Sequence, residues 1–421
     1  MSNQQIHKRL SDEQIAFILA KYASKEISLS YALEHLQLKR AGFFKLLANY
    51  RNNPDGFTAA TLRNQSDKRK ISSVAEQAIT AELMKEKQLI ENKNMPIKFY
   101  NYSAVRDDIL AKHAIEISVP TIISRAKQND FYIARPEKKV HDREVITNFA
   151  GELVQHDSSH HLWSPFMEQK LYLITSIDDY SRFLLFAELF EHELSWNHIL
   201  AIESVVLTHG CPLKYYPDQH AIFRFVKDRD KFTPWQTHTK FTDDVTPQWK
   251  QVLQDCDVGV TYALSPQAKG KVERPYQWLQ DRIVRTCAKE KVTDIAEVRK
   301  VLKELVHAYN YRWVHSTTKE IPAQRLERAK QESKTMFREF KVKEPFESSK
   351  DIFCLRDRRV VDCYHKISIN NCELKVPLVP QKNTVELRIV PDYDSLVAEV
   401  RMWFKNRLVS VQKVAHEDLS I

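Results

Sequence analysis

The run between residues 150 and 290 constrains the fold more than any other part of the chain. Apolar stretches at 152–156, 171–178 and 183–190 read as three strands, 196–209 as a helix, and 213–217 as a fourth strand. Strands followed by a helix and a further strand predict an α/β layer. Asp157 then stands just past the first strand and Asp218 just past the fourth. A polar loop at 227–244 leads to a helix over 247–255, a strand over 258–263 and a helix over 271–290, with Glu273 at the start of that helix. Groups at strand ends and helix starts are held by rigid elements. A charge directly after Leu213-Lys214-Tyr215-Tyr216-Pro217 is also an expensive thing to leave uncompensated.

At 421 residues the chain exceeds one ordinary domain. Residues 1–63 read as a helix-turn-helix module, with helices over 12–23, 29–36 and 40–50 and a break at Gln37-Leu38-Lys39. Its last helix carries Arg40, Lys45 and Arg51 beside Phe43, Phe44 and Leu47, a basic face with an apolar back. Residues 64–71 form a basic linker containing Lys68, Arg69 and Lys70, suited to tracking a phosphate backbone or to serving as a solvated hinge. Residues 72–136 read as a second helical DNA-binding module: helices at 72–91 and 103–113, then one opening at Val119-Pro120-Thr121, where proline suits a first turn. Arg125 and Lys127, ahead of Phe131-Tyr132, are its candidate DNA contacts; a dimerisation bundle would show the same periodicity. A connector at 137–149 leads to the α/β core at 150–329. A charged connector follows at 330–349. Alternating polarity over 350–421, broken at Asn370-Asn371, Pro380–Asn383 and Pro391-Asp392, predicts a small β-barrel. The fold class is thus multidomain: all-α helix-turn-helix modules, a central α/β core and a C-terminal β-barrel.

Composition narrows the chemistry. Lys and Arg total 64 against 55 Asp and Glu, and the resulting charge of +9 favours a polyanionic partner such as nucleic acid. Only six glycines occur, which leaves no material for glycine-rich phosphate cradles. The six cysteines include no CxxC pair, so neither a zinc ribbon nor a disulfide framework is signalled, and they read as reduced, buried, small hydrophobes. The start of the chain lacks an apolar signal region, and no window approaches the ~18 apolar residues of a membrane span. A soluble, cytoplasmic protein is expected.

Three carboxylates, Asp157, Asp218 and Glu273, suit phosphodiester chemistry. Two divalent ions about 3.5–4 Å apart activate a nucleophile and stabilise a leaving oxygen. Hard Mg²⁺ or Mn²⁺ prefers carboxylate oxygens to imidazole or thiolate. From residue type, Asp157 is expected to bridge two ions, Asp218 to complete one site and Glu273 the other. Around Glu273, Lys269, Lys271 and Arg274 lie at a helix start that favours phosphate, and Gln277 and Gln280 follow on the same helix; each is a candidate DNA contact or a solvated surface residue. His156, His160 and His161 lack the partners of a structural zinc site and are expected to shape the rim of the site at most. The tryptophans Trp163, Trp196, Trp249, Trp278 and Trp313 are expected in the core.

The combination of Asp157, Ile177-Asp178-Asp179-Tyr180-Ser181-Arg182-Phe183, Tyr216-Pro217-Asp218 and Ser265-Pro266-Gln267-Ala268-Lys269-Gly270-Lys271-Val272-Glu273-Arg274 resembles the DDE integrase core of bacterial insertion-sequence transposases and retroviral integrases. Asp218 followed by Ile222-Phe223-Arg224 is similar to the ISNCY-type bacterial elements. The resemblance covers about 150–326. It implies an RNase H-like core and a metal-binding triad of Asp157, Asp218 and Glu273, with a structural role for the Asp178-Asp179 turn. The implied reaction cuts DNA at transposon ends and joins the freed 3′-hydroxyls to target DNA at the bacterial nucleoid. Partners would be double-stranded DNA and further copies of the chain, as a dimer or higher assembly. Any accessory ATPase or host factor is left open. Two features depart from the retroviral pattern: a longer interval between Asp218 and Glu273, implying an inserted loop around 229–246, and no HHCC zinc module ahead of the core. A metal-dependent nuclease without joining, and a non-catalytic DNA-binding regulator, are the alternatives.

Overall fold

The structure is a computed structural model. It describes residues 6, 9–59, 71–134, 146–217, 247–262, 270–369 and 372–419, with the side chains of 270–275 and 418 outside that description. The chain divides into two compact units, Met1–Glu76 and Gln77–Ile421.

The first unit holds helices α1 (Asp12–Ala23), α2 (Leu29–Leu36) and α3 (Arg40–Asn52). Ser11 and Gln14 form a reciprocal capping box that starts α1, and Ser28 caps α2 through the Tyr31 N–H. Gln37, at φ 49°, ends α2 in the left-handed conformation and turns the chain toward α3. The apolar positions Ile15, Leu19, Ala32, Leu36, Phe43 and Leu47 make one buried cluster.

The second unit opens with α4 (Ser73–Glu91), which begins just ahead of the division, then α5 (Tyr102–His113) and α6 (Val119–Gln128). Asn101 and Ser118 cap the last two, and Pro120 lies in the first turn of α6. The core follows: β1 (Val154–His161), β2 (Leu171–Asp178), β3 (Leu184–Phe190), α7 (Ser195–His209), β4 (Lys214–Tyr216), α8 (Gln248–Asp255), β5 (Gly259–Val260), α9 (Gly270–Glu290), α10 (Ile295–Tyr311) and α11 (Pro322–Gln331). The strands form one mixed sheet in the order β3-β2-β1-β4-β5. β1, β2 and β3 are mutually antiparallel, whereas β4 runs parallel to β1 and β5 parallel to β4. One hydrophobic cluster joins the sheet to α7 and α8, and a second joins it to α9 and α10. Period-two alternation separates them: Leu171, Leu173 and Ile177 of β2 all belong to the α9–α10 side.

One expectation changes here. Asp157 lies inside β1, because that strand continues through Asp-Ser-Ser-His-His to His161, pairing with β2 as far as Leu171. These polar residues carry no apolar signal; the ladder of the neighbouring strand extends them.

The segment after α11 is packed onto the core. Thr335 bridges to Ala150 and Arg338 to Cys211. Gly151 requires its residue type: φ is 74°, and a Cβ would meet the Phe337 ring at 2.7 Å.

Beyond a short 3-10 turn at Ser349–Asp351 come β6 (Leu355–Val360), β7 (Lys366–Ile369), β8 (Cys372–Lys375), β9 (Thr384–Asp392), β10 (Val397–Phe404), β11 (Arg407–Ala415) and a final turn α12 (His416–Leu419). The predicted β-barrel is not formed among the described residues. Strands β11-β10-β9-β6 make an open antiparallel sheet, and β7 pairs only with β8 in a separate hairpin. The hairpin's Ile367, Ile369 and Leu374 share a cluster with Val385, Leu387, Val400 and Met402 of the sheet. Alternation reports one buried face, which a covered sheet and a closed barrel have in common.

The cysteines also differ in part from expectation. Cys211, Cys256, Cys287 and Cys354 are buried, while Cys363 is exposed and Cys372 half-buried. Trp163, Trp196 and Trp249 are buried, and Trp278 and Trp313 pack partly buried against the α9–α10 cluster. No helix among the described residues is long and apolar enough to cross a membrane.

Candidate active site

Asp157 is half-buried near the middle of β1, directly across from Thr175 on β2. Tyr276 of α9, 6% exposed, faces these two strands. Its hydroxyl donates to the Asp157 carbonyl oxygen at 2.6 Å and accepts from Thr175 Oγ1 at 2.7 Å. Burial, and then the Asp157 charge, hold the phenol's pKa well above its ordinary value, so it stays a donor. One turn further along, Gln280 Nε2 donates to Ser159 Oγ at 2.8 Å. These two contacts fasten the front of α9 to β1. Glu273 lies on α9 one turn ahead of Tyr276; its side chain is outside the described residues.

On the other side of β1, the parallel register pairs Gln155 with Tyr216 of β4. The two strands run in the same direction from that pair. Asp157 is two residues past Gln155, and Asp218 is two residues past Tyr216 in sequence, outside the described residues.

The Asp178-Asp179 turn is fully engaged. Asp178 accepts the Gly151 and Ser181 N–H groups, each at 2.8 Å, and burial pushes its pKa up. Asp179 accepts from Thr147 Oγ1 at 2.8 Å, from Arg182 Nη1 at 2.9 Å and from Gln155 Nε2. These bonds hold the β2–β3 turn against the start of β1.

The histidines divide. His160 stacks on Tyr172 at 4.1 Å, and His161 meets the Trp163 ring edge at 5.5 Å. His156 is fully buried, with Nδ1 2.8 Å from Ser176 Oγ and Nε2 2.9 Å from His198 Nδ1. His198 Nε2 in turn lies 3.3 Å from Glu193 Oε1, which accepts from Ser158 Oγ. Sequence reasoning missed this polar line. His198 and Glu193 stand five residues apart at a helix start, a spacing without its own signature.

It also missed the fixing of α9 from behind. Arg285 pairs with Glu86 of α4 and with Asp281, and it donates to the Phe99 carbonyl. Arg282 pairs with Asp107 at 2.7 Å, and Lys289 with Asp108, both on α5.

The candidate DNA contacts scatter. Arg40, Lys45 and Arg51 are exposed on α3, with Arg40 over the Phe44 ring at 5.9 Å. Arg125 is half-buried on α6, and Lys127 is exposed with its ammonium 4.7 Å from the Tyr132 ring centre. Gln277 is exposed, whereas Gln280 is committed to Ser159. Lys68, Arg69, Lys70 and Lys269 lie outside the described residues, as do the side chains of Lys271 and Arg274.

No group of three potential ligands stands together among the described residues. The donor chemistry of Asp157, Asp218 and Glu273 is all carboxylate oxygen, which fits a hard divalent ion and not zinc.

Comparison with known proteins places this chain beside transposases. It is 29% identical over 180 residues to the transposase for insertion sequence IS1202 of Streptococcus pneumoniae, covering 43% of this chain and 37% of that protein. It is 27% identical over 180 residues to y4bF of Sinorhizobium fredii, named as a candidate transposase, covering 42% of this chain and 37% of that one. The aligned region thus spans 37% of the length of these curated relatives. Among solved structures, the HTLV-2 integrase catalytic core domain in complex with magnesium is 13% identical over 42% of this chain and 96% of its own, at a TM-score of 0.31. A simian T-cell lymphotropic virus intasome chain is 11% identical over 75% of this chain and 92% of its own, at 0.35. No family model matches.

Proposed function

We propose that this chain is a DDE transposase of a bacterial insertion sequence, ISNCY-like, with an RNase H-like core. The observation that carries the reading is the convergence on β1. Tyr276 fastens α9 to the Asp157 backbone one turn beyond Glu273, while β4 runs beside β1 and ends two residues short of Asp218. Similarity to two transposases over 180 residues supports the same reading.

Asp157, Asp218 and Glu273 are the catalytic triad and would hold two Mg²⁺ or Mn²⁺ ions. Such ions supply activation of the attacking oxygen and neutralisation of charge at the leaving oxygen. The protein's part would be to gather three carboxylates about one phosphodiester, first for attack by water at an element end and then for in-line attack by the freed 3′-hydroxyl on target DNA. Lys271, Arg274 and Gln277 of α9, with Lys269 just ahead of it in sequence, would guide the phosphate backbone. The first unit would read element ends as a helix-turn-helix module through Arg40, Lys45 and Arg51. The basic linker at 64–71 would track phosphates, and α6 would add Arg125 and Lys127. Two ends joined in concert require at least a dimer on DNA.

The test is strand transfer in vitro: purified chain, DNA ends from the element flanking its gene, a supercoiled target and Mg²⁺ or Mn²⁺, beside Asp157→Asn, Asp218→Asn and Glu273→Gln. Joined products that vanish in all three variants are the expected result. Cut ends without joining would replace the transposase with a nuclease. Tight end binding without chemistry under either metal would leave a DNA-binding regulator.

A further inference from the structure

We propose that Glu193 is a positioning residue for Asp157, an inference that rests on reading Asp157 as a metal-binding carboxylate. In a strand, successive side chains point to opposite faces, so His156 and Ser158 share one face of β1 and Asp157 points to the other. The two neighbours of Asp157 are therefore held from behind, and both are held by one carboxylate. Ser158 Oγ donates directly to Glu193 Oε1. His156 reaches the same oxygen through His198, by links of 2.9 Å and 3.3 Å. The far end of the line closes on Ser176 Oγ at 2.8 Å.

The surroundings make this arrangement hard to replace. His156 and His198 are both 0% exposed, and the Glu193 side chain is 14% exposed at the front of α7. Tyr215 and Trp249 pack against the His156 ring, at 5.9 and 5.8 Å between centres. Water therefore offers little substitute for a missing partner.

The carboxylate also sets the direction of every proton in the line. A carboxylate only accepts, so a neutral His198 ring presents Nε2–H to Glu193 and leaves Nδ1 as an acceptor. His156 must then donate from Nε2, and its Nδ1 accepts the Ser176 hydroxyl. Reversing the order would aim a lone pair of His198 at the carboxylate 3.3 Å away. The 3.3 Å contact is the longest link and is not aligned as a full hydrogen bond, so its hold on the ring is chiefly electrostatic. Glu193 thus fixes two tautomers, two side chains and, through them, the stretch of β1 between residues 156 and 158.

Partners bonded directly to a metal ligand typically change metal affinity about 10- to 100-fold when removed, and Glu193, which reaches Asp157 only through its neighbours Ser158 and His156, is expected at or below the lower end of that range. The experiment measures Mn²⁺ affinity of the full chain without DNA, by calorimetry and by Mn²⁺ electron paramagnetic resonance, for wild type, Glu193→Ala, Glu193→Gln, Ser158→Ala and Asp157→Asn. Glu193→Ala is expected to weaken binding by up to about 10-fold. Glu193→Gln keeps an accepting oxygen and is expected to restore binding to within a few-fold, which loss of a direct ligand would not allow. Ser158→Ala, a minimal change that should leave folding intact, is expected to lie between them. In parallel, ¹⁵N spectra of the histidine rings should show Nε2–H forms for His156 and His198 in wild type and a changed pattern in Glu193→Ala. Unchanged Mn²⁺ affinity in folded Glu193→Ala and Ser158→Ala would overturn the proposal, as would Nδ1–H forms in wild type. If Asp157→Asn itself binds Mn²⁺ as wild type does, the reading of the metal site fails instead, and the ring spectra still decide the proton order.

Discussion

Replacing Arg285 with methionine tests how the helical segment before the core holds α9, the helix that carries Glu273. Arg285 and Glu86 are each 1% exposed, so both charges have left water for one another. Asp281 adds contacts at 3.0 and 3.1 Å, and the Phe99 carbonyl accepts from Nη2. Burial alone would pull the guanidinium's pKa down, but Glu86 and Asp281 outweigh it and hold it above the ordinary value. Methionine fills similar volume without charge, leaving Glu86 with the Asn101 N–H at 3.2 Å and no guanidinium. Breaking one side of a buried pair costs about 3–5 kcal/mol, or roughly 100- to 4,000-fold in the folded-to-unfolded ratio. Replacing both sides by apolar groups is close to neutral. Urea unfolding followed by tryptophan fluorescence suits the measurement, because Trp278 lies seven residues earlier on the same helix. Arg285→Met should shift the transition strongly, and Arg285→Met with Glu86→Leu should recover most of the loss. A single variant within about 1 kcal/mol of wild type, or a double variant no better than the single, would refute the burial argument.

Asp351 is 0% exposed and accepts from Arg401 at 2.6 and 3.2 Å, from Trp403 Nε1 at 3.1 Å, and from the Glu347 and Ser348 N–H groups at 3.0 and 2.9 Å. Burial raises its pKa, but these contacts overcome that and leave the folded value below the ordinary 3.8. The stabilisation is therefore present above the ordinary carboxylate range and lost as pH falls through the folded value: Asp351→Asn should cost about 3 kcal/mol at neutral pH, with the gap to wild type closing in thermal melts at strongly acid pH. Tyr276→Phe removes a buried hydroxyl bonded to Thr175 and to the Asp157 carbonyl, at a cost of about 1–3 kcal/mol, and should reduce strand transfer as α9 loosens from β1; full stability and full joining would remove this tether from the mechanism. Converting Lys68, Arg69 and Lys70 to alanine should flatten the salt dependence of DNA binding by about 0.9 in logarithmic slope for each phosphate no longer neutralised, measured by titration at several salt concentrations; an unchanged slope would take the linker off the DNA.

How much of this was legible in the sequence depended on whether the determinant was local. Strands β2 and β3 and helix α7 announced themselves through apolar periodicity within single windows, and observed bounds such as Leu171–Asp178 follow that pattern. The half of β1 that contains Asp157 did not, because Asp157–His161 is polar and its strand character comes from pairing with Leu171–Thr175. Closure of the C-terminal strands was equally illegible. Alternation in Val385, Leu387 and Ile389 says that one face is buried, while the hairpin β7–β8 supplies the cover. At the candidate site, residue type and motif picked out Asp157, and α9 begins where Glu273 was expected to open a helix. Glu193 and His198 escaped notice because their meaning lies in contacts made 35 and 42 residues away.

These long-range contacts give the helix α9 two kinds of anchorage. Its front is tied to β1 by neutral hydrogen bonds from Tyr276 and Gln280, short contacts that fix position to a fraction of an ångström. Further back it is held by charge: Asp281, Arg282, Arg285 and Lys289 each engage α4, α5 or the loop between them, while Val284 and Ala288 pack against Met95. Among the described residues, the contacts that join α9 to β1 beside Asp157 are thus neutral, and the ion pairs lie behind them. The first of the charged anchors, Asp281, stands eight residues beyond Glu273, a little over two turns along the helix. Residues 77–134 therefore form part of the platform that holds α9, and the two helical segments of the chain differ in kind: the first unit is a separate compact body, and the second is built into the core.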